Sequence, residues 1–343
     1  MTETQPTGGR WVVGVRLILT AIAVIVAHQD LEAQPQLSYR EGQNISPAYE
    51  GWQVEADGQV YFLFGYMNRN WEEELDIEVG LENGFSPGPS DRGQPTHFLP
   101  RRNRFTFRVP VPEGFTEAEE LVWTLTSNGV TEKAYASLRP DYLVDNVVIA
   151  SETGSLGAGT SSPETRSNTP PVFTVEGPAS RHASVGQPIT LIVTVTDDGL
   201  PNTRGARSAV ESDDDADDDE DSDSAAQDEE EPELTPEMRA LHRALNPPRR
   251  VTVGKTNGLH FSWFVYRGTA DVEFDPIQVK TWEDTRAGAN SPWAPLWQSP
   301  PIPEDGRWVV HATFMKPGTY LLRGRADDGG LYADHEITVH VME

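Results

Sequence analysis

Gly186-Gln187-Pro188-Ile189-Thr190-Leu191-Ile192-Val193-Thr194-Val195-Thr196-Asp197-Asp198-Gly199 decides the fold. Ile189, Leu191, Val193 and Val195 share one face of an extended chain, and Thr190, Ile192, Thr194 and Thr196 share the other. Side chains alternate across a strand, and β-branched residues fit a pleated, half-buried surface. Asp197-Asp198-Gly199 then ends the strand with turn residues.

The same pattern recurs on both sides. Upstream, Val60, Phe62, Phe64 and Tyr66 share a face, while Tyr61 and Leu63 lie opposite, which predicts a strand covered on both sides. Leu75, Ile77, Val79 and Leu81 alternate with acidic residues, which predicts one half-buried strand. Phe105, Phe107, Val109 and Val111 follow, then Leu121, Trp123 and Leu125. Asp57-Gly58 and Asn128-Gly129 mark two hairpins, because a type I′ turn needs positive φ at both central positions. Downstream, Leu259–Tyr266, Val272–Trp282, Trp308–Met315, Thr319–Arg325 and Leu331–Val341 give further strands. The expected class is all-β, with two antiparallel β-sandwich domains over 34–150 and 171–343. Residues 151–170, rich in Ser, Thr, Gly and Pro, read as a linker.

The second sandwich carries an insertion over about 201–248. Its segment 211–233 holds 15 acidic residues and no basic one. So little apolar surface cannot offset chain entropy, which predicts disorder. Thr235-Pro236 followed by Met238, Leu241 and Leu245 predicts one short helix at its end.

Gly186–Gly199, Pro317-Gly318-Thr319-Tyr320-Leu321-Leu322 and Ala326-Asp327-Asp328-Gly329-Gly330-Leu331, running on to Glu336–Val341, resemble bacterial immunoglobulin-like modules of the cadherin-like and PKD type. The resemblance covers about 172–200 and 250–343. It implies a corner tyrosine at Tyr320, a core site at Leu322 and a buried third-strand aromatic at Trp263. The usual cysteine pair is absent, so that core is expected to be apolar. The first domain resembles no family firmly.

At the N-terminus, Arg10 and Arg16 precede an apolar run, Leu17–Ala27, and Ala33 suits cleavage before Gln34. This predicts a signal peptide over 1–33, export to the periplasm or beyond, and no membrane span once it is removed. The alternative is an uncleaved anchor over Trp11–Ala27. The chain has no cysteine, which excludes disulfides and thiolate chemistry. Its net charge of −27 argues against nucleic-acid partners.

Catalytic signatures are sparse. No G-x-S-x-G occurs. Gly154-Ser155-Leu156-Gly157-Ala158-Gly159 lacks the spacing and the lysine of a phosphate loop. His335 and His340 lie five apart on a strand and point to opposite faces. Glu72, Glu73 and Glu74 beside Trp71 read as a solvated strand entry, and the acidic tract lacks the glycine of a calcium loop.

Three candidates remain. Asp197, Asp198, Asp327 and Asp328 would meet at one pole of the second sandwich as a weak Ca²⁺ site; the alternative is two ordinary turns. Calcium is the one ion or cofactor the sequence suggests. Trp282, Trp293 and Trp297 could stack on sugar rings, or simply cover a sandwich edge. Arg92, Arg101, Arg102, Arg104 and Arg108 form a basic cluster that could dock the acidic tract. The expected function is a non-enzymatic binding or structural protein, with a protein or glycan partner at the cell surface. A carbohydrate-binding protein and a glycosidase-like hydrolase stand as alternatives.

Overall fold

A computed structural model describes residues 40–153, 163–201, 258–279 and 301–343. The chain is all-β, as its alternating patterns require. The described part of Arg40–Glu343 belongs to one compact unit. The signal segment, the acidic insertion with its expected helix, and Trp282, Trp293 and Trp297 lie outside the described residues.

The first half has eight strands: β1 (Ile45–Val54), β2 (Val60–Asn68), β3 (Leu75–Asp76), β4 (Asn83–Ser86), β5 (His97–Phe98), β6 (Arg101–Pro110), β7 (Leu121–Ser127) and β8 (Val130–Ala136). They form sheets in the orders β1-β2-β6 and β4-β7-β8, with a β3-β5 ladder beside them, and every pair is antiparallel. Phe62, Phe64, Phe85, Phe107, Leu121 and Trp123 fill the space between. Their rings meet mostly edge to face, the arrangement that ring quadrupoles favour.

The two hairpin signals fold differently. Asn128 and Gly129 both have positive φ, at 45° and 76°, and join β7 to β8 directly. That is the type I′ geometry. Between β1 and β2 the loop is longer, and Gly58 alone turns left-handed. Asp57 instead accepts a hydrogen bond from the Gln59 amide at 2.9 Å.

The expected strand over Leu75–Leu81 is a correction. Only Leu75–Asp76 pairs, and Leu81 is 99% exposed. The chain turns after Ile77 because the Asn83 side-chain amide donates to the Ile77 and Pro95 carbonyls, at 2.9 and 2.8 Å. A buried side chain there takes the place of a strand partner.

After a 3₁₀ turn (Pro140–Tyr142) come two short helices, α1 (Asn146–Thr153) and α2 (Pro163–Ser167). The Asp145 carboxylate accepts from the Val148 amide at 2.9 Å, a cap that starts α1.

The second half has β9 (Val172–Val175), β10 (Ser180–Ser184), β11 (Pro188–Thr196), β12 (His260–Arg267), β13 (Val272–Asp275), β14 (Arg307–Phe314), β15 (Gly318–Asp327) and β16 (Tyr332–Met342). Its sheets run β10-β16-β15-β12 and β13-β14-β11-β9; β10 pairs with β16 in parallel and all other pairs are antiparallel. Two such layers, with the long connections between them, make an immunoglobulin-like sandwich. Leu191, Val193, Trp263, Leu322, Ile337 and Val339 form its core. The Tyr320 hydroxyl donates to the Lys316 carbonyl at 3.0 Å, closing the corner that the resemblance implies.

Candidate functional site

Among the described residues, the junction between the sandwiches is a built feature. Strand β15 explains it. Tyr320, Leu322 and Ala326 point into the second core, where the bare Gly324 leaves room for Phe261 and Trp263, so Leu321, Arg323 and Arg325 point outward. That outer face is covered by the first sandwich. Arg323 is only 6% exposed and Arg325 only 2%. Phe264, Tyr266 and Leu321 likewise join the aromatic core of the first sandwich.

Both guanidinium groups are fully engaged. Arg325 grips Asp334 through two parallel bonds of 2.7 and 2.8 Å and lies 4.1 Å from the centre of the Tyr332 ring. Arg323 pairs with Glu336, donates to the Thr106 carbonyl and sits 3.4 Å from the Tyr266 ring centre. Burial alone would lower the pKa of both groups; Tyr266, then Asp334 and Glu336, at Arg323, and Asp334 foremost at Arg325, hold them above the usual arginine value. The Tyr266 hydroxyl is pushed up to about 12, chiefly by burial, although the Arg323 charge opposes this.

The first sandwich presents a deformed strand to this face. Register shifts between Phe64 and Tyr66 on β2, and Phe105 on the facing β6 adopts φ 47°. Its carbonyl accepts the Tyr332 hydroxyl at 2.7 Å and Arg325 at 3.4 Å. A bulge re-aims backbone groups in this way. Gly65 permits it: a Cβ there would collide with the Asn103 carbonyl oxygen. At the far end, Arg267 holds Asp91 by two bonds of 3.0 and 2.7 Å, and Tyr266 donates to the Gly93 carbonyl. Beside the junction runs a groove of about 1120 Å³, lined among others by Glu55, Arg108, Asp145, Tyr332 and Glu336.

The four aspartates are each committed to local turns. Asp197 accepts the Gly199 amide at 3.0 Å, and Asp327 accepts the Gly329 amide at 2.9 Å. Asp198 accepts Leu200 at 2.9 Å, and also the Thr169 amide and hydroxyl at 2.8 and 2.7 Å. Asp328 accepts Gly330 at 2.6 Å and Leu331 at 2.7 Å. The two loops do share a pole: a Cβ on Gly330 would lie 3.5 Å from Pro201 and 3.0 Å from Asn168. Asp328 is 1% exposed, and burial raises its pKa to about 7. Among the described residues, no three His, Cys, Asp or Glu side chains gather in a way that could hold a metal.

The basic cluster is spread along its own sandwich. Arg102 pairs with Glu50 at 2.6 Å, Arg108 pairs with Glu55, and Arg101 lies 4.0 Å from the Trp71 ring centre. Glu72 pairs with Arg40, and Glu73 accepts the Gly42 amide. Glu74 and Asp76 clamp His97, at 3.2 and 2.7 Å. Burial pulls that imidazole down, but its two carboxylate partners outweigh it and lift it to about 9.

Sequence reading missed His97, Arg323 and Arg325. On β15, arginine on the face opposite the core reads as a wet surface. The one available signal was the aromatic outer face of β12, where Phe264 and Tyr266 also need cover.

No protein-family model matches the chain, and no curated protein matches it. Among solved structures, it overlaps domains 4 and 5 of the S-layer protein SbsC at 6% identity, covering 66% of this chain and 66% of that one. It overlaps the titin domains z1z2 in complex with telethonin at 10% identity, covering 87% and 96%. It spans only 28% of a six-domain SbsC structure, at 8% identity. The TM-score is 0.21 in each case, so the architecture rests on the ladders described above. Among the described residues, no helix is long and apolar enough to cross a membrane.

Proposed function

We propose that this chain is an exported, non-enzymatic binding or structural protein whose two sandwiches, over 34–150 and 171–343, act as one rigid body. The observation that supports this reading most is the buried Arg323–Arg325 junction. Domains that move freely on a linker have small, more polar interfaces. A junction closed by two buried guanidinium groups fixes the loops of both sandwiches relative to one another. Loops held by a rigid scaffold suit binding or load transfer.

The finer parts of the proposal rest on sequence. The leader over 1–33 directs export, and the second sandwich is a bacterial cadherin-like or PKD-type module. Its partner is a protein or glycan outside the cytosol.

The test uses the full chain in its own cell. Fractionation should place it outside the cytosol, without its first 33 residues. Cross-linking on intact cells, with a glycan array alongside, should identify a partner. Residence in the cytosol, or turnover of glycosides that disappears with one carboxylate variant, would sink the reading.

A further inference from the structure

One pair of side chains stands apart from the junction and the pole. β10 and β16 form the parallel ladder of the second sandwich, and His182 is the register partner of His340. In a parallel pair, partners point to the same side. The neighbouring pair, Ala183 and Val341, is buried in the core, so both histidines stand on the outer face. His182 is exposed and His340 is half-buried. Their ring centres lie 5.5 Å apart, with the planes tilted by 35°.

We propose that His182 and His340 together bind a late first-row divalent metal ion, Zn²⁺ or Cu²⁺. Two imidazoles sharing a tetrahedral ion through bonds of about 2.0 Å place their ring centres roughly 5 Å apart. The observed spacing is close to that, and small χ rotations cover the rest. The Nδ1 of His340 lies 3.2 Å from the Thr319 hydroxyl. With the proton on Nδ1, that bond orients the ring and leaves Nε2 as the ligand atom. Imidazole selects Zn²⁺ or Cu²⁺ over Ca²⁺ and Mg²⁺, which prefer oxygen. Ser180, Ser184, Thr338 and Met342 occupy the adjacent outward positions on the two strands, so no charged side chain of either strand adjoins the pair on that face. With two protein ligands, water or an outside donor completes the coordination.

The test is calorimetric titration of the full chain with ZnCl₂ in excess Mg²⁺, which occupies exposed carboxylates. The proposal expects one Zn²⁺ per chain. His182→Ala and His340→Ala should each weaken it at least tenfold, and the double variant should do no more than abolish it. Thr319→Val, a positioning change, should weaken it about tenfold. In NMR, the ring signals of both histidines should move together with Zn²⁺ and stay still with Mg²⁺. Both histidines face outward, so the unfolding midpoint of the variants should match that of the parent chain. Zn²⁺ heat that survives both single substitutions, or ring signals that do not respond, would overturn the site.

Discussion

The two sandwiches solve one problem in different ways. In the second, the longest ladder is unbroken: β15 pairs with β16 over ten residues, and the buried core is largely aliphatic around Trp263. In the first, β3, β4 and β5 are short, and buried amides satisfy backbone groups that the ladders leave open. Asn68 donates to the Glu73 and Phe98 carbonyls, and Asn103 donates to Leu99 and Arg101. Asn83 bonds Ile77 and Pro95 and accepts the Trp123 indole at 3.0 Å. A buried polar backbone group must find a partner, and where no strand supplies one a side chain must. Regular ladders tolerate sequence change; this amide network depends on single residues.

The largest expected effect lies where the two regions meet. Arg325→Ala leaves Asp334 without its buried partner and removes a donor to the Phe105 carbonyl. Asp334 itself is exposed and keeps Arg323 3.8 Å away, so the loss is that of two charged hydrogen bonds, together about 4 kcal/mol. Denaturant unfolding should lose its single transition and split in two, because the sandwiches no longer share a folded face. A variant that still unfolds in one step at nearly the parent midpoint would show that the junction contributes little.

Next comes the contrast itself. Asn83→Ala strands two carbonyls and the Trp123 indole in a dry core, at a cost of about 3 kcal/mol. Asn83→Leu, of similar size, should recover none of it. In the second sandwich, Leu322→Met should cost less than about 1.5 kcal/mol, because only volume and apolarity are asked of that site. Equal tolerance at both positions, measured by urea unfolding, would erase the distinction.

A smaller effect is a pH slope. Asp328 ionises near pH 7 in the folded chain, well above an ordinary aspartate. Its contribution to stability is therefore full in acid and is lost as pH rises through 7. Between pH 6 and 8 that loss is about 1.4 kcal/mol. His97, lifted to about 9, gives its own decline from its ordinary value near 6.5 upward, so the readout is the difference between parent and variant. Asp328→Asn keeps an acceptor for Gly330 and Leu331 and should remove that part of the slope. Parallel curves for parent and variant would place the titration elsewhere.

These cases also show what a single sequence can reveal. Alternation along Ile189–Val195 depends on neighbours two residues apart, so it is visible on the page. So is Asn128-Gly129, a turn that needs no tertiary help. Asn83 and Arg325 act through partners 40 residues away, in Trp123, and 220 residues away, in Phe105. Their roles exist only once the chain has folded. The Leu75–Leu81 pattern misled for the same reason: the alternation is real, but Asn83 ends the strand from outside it. The four aspartates were placed at one pole by topology, while their turn bonds depend on loop detail that alternation does not carry.

The smallest prediction tests the most legible tertiary feature. The resemblance to immunoglobulin-like modules implies a corner tyrosine at Tyr320, and its hydroxyl reaches back four residues to Lys316. Tyr320→Phe keeps the ring against Phe314, whose centre is 4.9 Å away, and removes the bond to Lys316 together with a long, 3.5 Å contact to the Thr269 hydroxyl. The carbonyl it leaves belongs to Lys316, an exposed residue, so water can take the vacated place. The net loss should therefore be about 1 kcal/mol, read as a small fall in urea midpoint with unchanged slope. A loss as large as that of Asn83→Ala would mean that the corner, too, is a point of single-residue dependence, and the second sandwich would no longer be the tolerant half.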